Sequence, residues 1–300
     1  MNNTVSVDVM SGDKKLTISA GLFAQQANGA ATVQQGETIL LSAVTATDKP
    51  RDGIDYFPLQ VEYREKFYAA GRFPGGFFKR EGRPSEKEIL TARFTDRPIR
   101  PLFANGYRND VQIYNSLLSA DGINDCDILS VLAASAALTL SELPFFGPIG
   151  AVRVARIDGR FIINPTNAEM EKSNLDLIYA GNREVPVMIE GGATEITEAD
   201  LLAAMKLAHA EVVKQIDAQL ELRRKMGLPD KVVVEKTEDE SLLREARGLA
   251  EAELAAALEI AGKRQRNEKL AAVSASLKTR LAAIHPEMTA EQFRAMFDEF

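Results

Sequence analysis

The sequence predicts an α+β fold followed by an all-helical segment, and three observations carry that prediction. Short stretches of period-two alternation recur through the first two-thirds of the chain. An alanine-rich apolar run at 128–140 interrupts them. From residue 197 onward the pattern turns helical, with no strand of any length.

Taken in order, Val5, Val7 and Val9 alternate with polar residues, and 14–19 alternates likewise. The run 38–45 is apolar between Gly36 and an Asp-Lys-Pro turn, and 57–63 continues the series. Pro84 and Ser85 followed by Glu86 and Glu88 mark a helix start with acids in the first turn, so a helix is expected to run to Asp96 or Arg97 and stop before Pro98. Another strand is expected at 111–118. The segment 128–140 is apolar almost all round, which predicts a helix buried on the sheet and stopped by Pro144. Strands return at 151–157 and 160–163 around an Asp158-Gly159 hairpin turn, then at 175–180 and 185–190.

Thr197 with Asp200 three residues on begins a capped helix. Its apolar face is expected to carry Leu201, Met205, Ala208, Val212, Ile216 and Leu220, with an end at Gly227 and Pro229. Residues 231–239 are charged and linker-like, although Val232, Val233 and Val234 could pair briefly. Beyond residue 240 the chain is Ala-, Leu- and Glu-rich helix with breaks near Gly262 and at His285-Pro286. In it, 263–266 is expected to be a solvated basic face, and 290–300 a helix that continues past the last residue.

Composition narrows the function classes. One cysteine, Cys126, excludes an internal disulfide and fits a reducing, cytoplasmic compartment. Two histidines exclude a His-based triad or zinc site as the working expectation. No apolar run approaches twenty residues, and no Walker loop or dinucleotide glycine fingerprint is present.

The charge distribution is more telling. Between Arg64 and Arg108 stand eleven Lys or Arg against five Asp or Glu, in a chain whose formal net charge is −7. A basic island in an acidic protein calls for a local anionic partner, and arginine forks match phosphate oxygens bidentately. Inside the island Phe77 and Phe78 lie between Gly75-Gly76 and Lys79-Arg80. Exposed rings with cations behind them suit unstacked bases and their backbone, so a single-stranded RNA clamp is expected here, with Arg72 and Arg83 at its flanks. A ring anchor folded into the core is the alternative. Glycines on one side and charges on the other make that burial awkward. Arg93, Arg97 and Arg100 recur at intervals of four and three, a spacing that lets a helix point all three one way as a ladder for phosphates.

The run from Ala70 to Phe103, AGRFPGGFFKREGRPSEKEILTARFTDRPIRPLF, resembles the first of the two RNase PH-like core domains of the bacterial polynucleotide phosphorylase family. The likeness extends through Phe146-Gly-Pro-Ile-Gly-Ala-Val-Arg153 and Asn164-Pro165-Thr166 and covers essentially the whole chain. It implies a two-layer core domain over 1–228, a linker at 229–240 and an all-helical domain over 241–300 that is truncated at its C-terminus. It further implies a Mg²⁺-dependent homotrimeric parent. That parent would degrade single-stranded RNA from the 3′ end with inorganic phosphate, release nucleoside diphosphates and work within an RNA-degradation complex.

The resemblance also implies where chemistry should be absent. In the family's catalytic second copy, a glycine and serines at the start of the buried helix hold phosphate. The matching place here reads Asn124-Asp125-Cys126-Asp127, whose carboxylates would repel phosphate and are expected to cap the helix. The family's metal element carries two aspartates six residues apart and a lysine two further on. Asp176 matches the second aspartate, but Met170 and Ile178 stand where the first and the lysine would be, so Asp176 is expected to be structural. Catalytic and metal-binding residues are therefore expected outside this segment, with Mg²⁺ bound by the second core domain. The other function classes are a stand-alone RNase PH-type tRNA-processing enzyme and a non-catalytic scaffold of the exosome-ring type. The helical region after residue 240 argues against both.

Overall fold

The computed structural model describes residues 4–75, 77, 80–233, 240–289, 292–293 and 296–297. The chain divides into two compact units, Met1–Glu235 and Lys236–Phe300.

The first unit opens with β1 (Val5–Ser11), β2 (Lys14–Ala20), β3 (Gly29–Gln35), β4 (Thr38–Ala46) and β5 (Leu59–Arg64). Then come α1 (Glu86–Ile99), β6 (Val111–Ser119) and α2 (Asp127–Leu140). The six strands form one sheet in the order β1-β2-β3-β4-β6-β5, antiparallel except for the parallel β5–β6 pair. A second, antiparallel sheet of order β10-β9-β7-β8 is built from β7 (Gly150–Ile157), β8 (Arg160–Ile163), β9 (Leu175–Gly181) and β10 (Pro186–Ala193). The one-turn α3 (Asn167–Met170) lies between β8 and β9, and α4 (Glu198–Lys225) follows. These mixed sheets with helices packed on them are the α+β architecture that the alternation predicts.

Helix α2 organises the unit. Every residue from Asp127 to Thr139 is buried, as an all-round apolar helix must be. Its alanines let the sheet come close: a Cβ built on Gly29 of β3 would stand 2.1 Å from Ala137 O, so only glycine fits there. Thr95 of α1 and Asn115 of β6 both reach Ser130 Oγ, at 2.8 and 2.9 Å, which fixes α1, α2 and β6 on one buried polar point. The β7–β8 hairpin turns on Asp158 (φ 47°) and Gly159 (φ 78°), the two left-handed residues that a tight primed turn needs.

Three features depart from expectation. The strands read from the sequence do not include 29–35, yet β3 pairs fully with β4 there and buries Ala31 and Val33. Helix α1 runs through Pro98 to Ile99 rather than stopping before it. Pro98 and Ile99 are buried, and the ladder resumes with Arg100 N donating to Asp96 O, which offsets the one missing bond. Helix α4 is capped by Thr197 as predicted. Its buried seam, however, includes Glu211, Gln215, Gln219 and Arg223 along with Ala208, Val212 and Ile216, while Leu201, Met205 and Leu220 are only half-buried flanks. The polar seam residues are stitched in: Gln215 accepts from Ala151 N at 2.9 Å, and Gln219 donates to Ile149 O at 2.8 Å.

In the second unit α5 (Glu240–Leu258) packs Ala246, Ala250 and Ala257 against Val273, Leu277 and Leu281 of α6 (Lys263–Ile284). The breaks at Gly262 and His285 fall where the sequence places them, and 263–265 is exposed. Val232 and Val233 belong to no strand. Val234 and most of the expected helix at 290–300 lie outside the described residues.

Candidate nucleic-acid interface

The interface is built on a loop between β5 and α1. A 3₁₀ turn, Phe67–Ala70, opens it and is closed by Gly71 in the left-handed conformation (φ 64°). The turn is pinned to the sheet: Ala120 N donates to Ala69 O at 2.9 Å, and Tyr68 Oη lies 3.2 Å from Ser116 Oγ. Beyond it Phe73 is 93% and Phe77 94% exposed, and Arg72, Arg80 and Arg83 are exposed beside them. The buried-anchor alternative therefore fails for Phe77. Phe78 and Lys79 fall outside the described residues. Phe73 was not singled out from the sequence, although Arg72 beside it carries the same signal of a ring next to a cation.

The loop is tied at its feet by acids. Ser85 and Glu88 form the capping box the sequence predicts at the start of α1. The buried Glu88 carboxylate takes Ser85 N at 2.6 Å and, across the loop, Glu65 N at 2.9 Å. Burial would raise Glu88; those two N–H groups, together with the Ser85 side chain and the Arg64 charge, more than offset it and hold the carboxyl below its ordinary range.

The three arginines along and just past α1 are all exposed, but they are not in one chemical state. Arg93 is exposed and borders a groove of about 430 Å³ between α1 and β5, floored by Leu59, Val61 and Ile89. Arg97 is paired with Glu190 of β10 at 2.5 Å. Arg100 grips Asp96 with both Nε and Nη2, at 3.0 and 2.7 Å, and donates to Phe57 O and Leu59 O. Its donors are thus engaged in holding the entry to β5, which leaves little for a phosphate. Asp96 four residues before Arg100 was the visible signal of that pairing.

At the start of α2 the two aspartates do not cap in the strict sense. The N-cap is Cys126, which makes no side-chain cap bond. Asp125 takes Cys126 N at 2.7 Å and Asp127 takes Ile128 N at 2.6 Å, each the amide next to it. Their other oxygens face Arg153 of β7, at 2.8 Å from Asp125 and 3.1 Å from Asp127. Asp176 of β9 stands 2.9 Å from Arg153 Nε, a charge contact without the alignment of a hydrogen bond. Lys87 then bridges Asp125 at 3.2 Å to Glu65 at 3.0 Å, linking the cluster to the foot of the loop.

Burial and the neighbouring Asp125 charge push Asp127 up to about 6. Asp125 itself feels burial most, yet Lys87 and Arg153 hold it below the usual carboxylate range. Burial also pushes the Cys126 thiol up to about 12, so it is not a poised nucleophile. The three carboxylates close on a guanidinium that takes the place and the charge compensation a divalent cation would need, so this cluster does not fit Mg²⁺. Among the described residues no group of three or more His, Cys, Asp or Glu is arranged to hold a metal ion.

Comparison with known proteins places the chain in a family. Residues 12–144 match domain 1 of the 3′ exoribonuclease family, RNase PH, and residues 147–211 match its domain 2. A polyribonucleotide nucleotidyltransferase of Geobacter sulfurreducens is 46% identical over 90% of this chain and 39% of its own length. One of Herpetosiphon aurantiacus is 53% identical over 81% of this chain and 31% of its own, and one of Geotalea uraniireducens 43% over 98% and 42%. The chain thus spans about a third to two-fifths of the length of these curated relatives. The crystal structure of rice Rrp46 aligns with a TM-score of 0.54 at 14% identity, covering 74% of this chain and 95% of that chain, a likeness of fold alone. Two family domains matched in order, on an α+β core that carries an exposed ring-and-arginine loop, make this chain a member of the 3′ exoribonuclease (RNase PH) family.

Proposed function

We propose that this chain is the RNA-gripping part of a phosphorolytic 3′-to-5′ exoribonuclease, a polyribonucleotide nucleotidyltransferase that attacks single-stranded RNA with inorganic phosphate and releases nucleoside diphosphates. The observation that carries the proposal is the loop. Two phenylalanines more than nine-tenths exposed stand among Arg72, Arg80 and Arg83 in a protein of net charge −7. Exposed rings and a local excess of cations in an otherwise acidic chain are explained together by stacked bases and their phosphates. Phe77, Phe78, Lys79, Arg80 and Arg83 would hold the strand, and Arg93 and Arg97 would steady phosphates nearer the reacting end.

Catalysis is assigned elsewhere. Phosphorolysis needs an anion pocket and cationic or metal stabilisation of the attacked phosphodiester. In this chain the start of α2 carries two aspartates held on Arg153, which disfavours phosphate there. The Mg²⁺ of the reaction, the homotrimer and the cytoplasmic RNA-degradation partners belong to the whole protein of which this chain would be a part. No described helix is long and apolar enough to cross a membrane. The test is retention of single-stranded RNA over a salt series: binding that weakens steeply with salt and falls on Arg80→Ala supports the function, and salt-insensitive or absent binding overturns it.

A further inference from the structure

Glu81 stands between Arg80 and Arg83, an acid in the middle of a loop offered to phosphates. Its side chain turns back across the loop. One carboxylate oxygen accepts Phe67 N at 2.6 Å, and the other lies 3.1 Å from Lys66 Nζ. The hydrogen bond from Phe67, with Lys66 beside it, holds the Glu81 carboxyl below its ordinary range, so the contact is made by the charged form. The limb it reaches is the fixed one, since the turn Phe67–Ala70 is bound to β6 through Ala120 N and Tyr68. Glu81 therefore adds a second tie between the two limbs of the loop, nearer its tip than the Glu88–Glu65 tie at the feet. The exposed Phe73 and Phe77 lie between the two points it joins.

We propose that Glu81 is a positioning residue that closes the neck of the loop and thereby sets its grip on single-stranded RNA. The inference rests on the RNA-binding function given above. A ring that stacks on a base gains affinity only after the cost of ordering its loop is met, and a neck closed in advance lowers that cost. Glu81 does this without touching the strand.

The sign of the effect separates this role from simple electrostatics. If Glu81 were only a surface charge, removing it would make the loop more positive and RNA binding tighter. As a positioning residue its removal weakens binding. Glu81→Gln keeps a carbonyl that can accept Phe67 N but loses the pair with Lys66, whereas Glu81→Ala loses both. The expected order of affinity for a single-stranded oligoadenylate, measured on the intact protein, is wild type, then Gln, then Ala. The Ala variant should be about three- to tenfold weaker, in line with the ordering cost of one or two side chains. The salt slope should not fall, because no phosphate contact is removed. The thermal midpoint should stay unchanged, because the carboxylate is a surface group. Arg80→Ala is measured in parallel. If Arg80→Ala weakens binding while Glu81→Ala binds as tightly as wild type or tighter, the positioning role is overturned and the RNA-binding function stands. If Arg80→Ala has no effect, the RNA-binding function falls and the role of Glu81 falls with it.

Discussion

Arg153 Nη2 lies 3.1 Å from Asp127 Oδ2 at the buried start of α2, and the same guanidinium reaches Asp125 at 2.8 Å. One arginine thus holds two carboxylates that are adjacent but for Cys126, and the two respond oppositely, Asp125 pulled down and Asp127 pushed up. A pair sharing one cation in a dry place keeps one member well ionised and the other close to its proton.

The proton on Asp127 makes a prediction about pH. Its folded value of about 6 lies above the ordinary 3.8, so between those values the native state holds a proton that the unfolded chain has lost. The stability this group contributes is full below 3.8 and disappears as pH rises through about 6. Asp127→Asn lacks the titration. The stability of the variant relative to wild type should rise from pH 4 to pH 7 by on the order of 2–3 kcal/mol, read by urea unfolding. Parallel pH profiles for the two proteins would show that Asp127 is ionised throughout.

The exposed rings predict a stacking contribution. Phe73→Ala and Phe77→Ala should each weaken single-stranded RNA binding by about 1–3 kcal/mol per stacked base lost, with little change in salt slope. Filter binding over a salt series separates this from a phosphate contact, for which the slope falls by about one unit. Unchanged affinity in the double variant would remove RNA stacking as the reason these rings are exposed.

Arg93 and Arg97 should differ. Arg97 has to leave Glu190 to meet a phosphate, whereas Arg93 carries no ion pair among the described residues. In the assembled enzyme Arg93→Ala should lower the rate at saturating RNA more than Arg97→Ala does, because a rigid helix-borne cation positions the phosphodiester. Steady-state kinetics decide it. A rise in KM alone, with kcat intact for both variants, would make them uniform binders.

The chain by itself should be catalytically silent. With poly(A), inorganic phosphate and Mg²⁺, nucleoside diphosphate release is expected to be absent, since Asp125, Asp127 and Asp176 are held on Arg153 and Ile178 offers no cation. Robust turnover by the purified 1–300 chain would overturn the assignment of chemistry to residues elsewhere.

The sequence by itself determined what depends on neighbours along the chain. The all-round apolar run gave α2, Ser85 with Glu88 gave the capping box, Asp158-Gly159 gave the hairpin, and Thr197 gave the start of α4. The ring-and-cation loop was legible for the same reason, because rings flanked by glycine and charge have no local route to burial. Only the tertiary structure decided the rest. Gly29–Gln35 is a strand because β4 and α2 need a small-residue partner there, a demand that no propensity records. Arg100 has its donors filled by Asp96, Phe57 and Leu59, so a spacing of four and three did not make three equivalent phosphate ligands. The Asp125/Asp127 pair, Arg153 and Asp176 are each more than twenty residues apart in sequence and carry no joint motif. They meet because β7 and β9 are antiparallel neighbours and α2 begins beside them, and the largely buried Arg153 guanidinium and Asp127 carboxylate need opposite charges within reach.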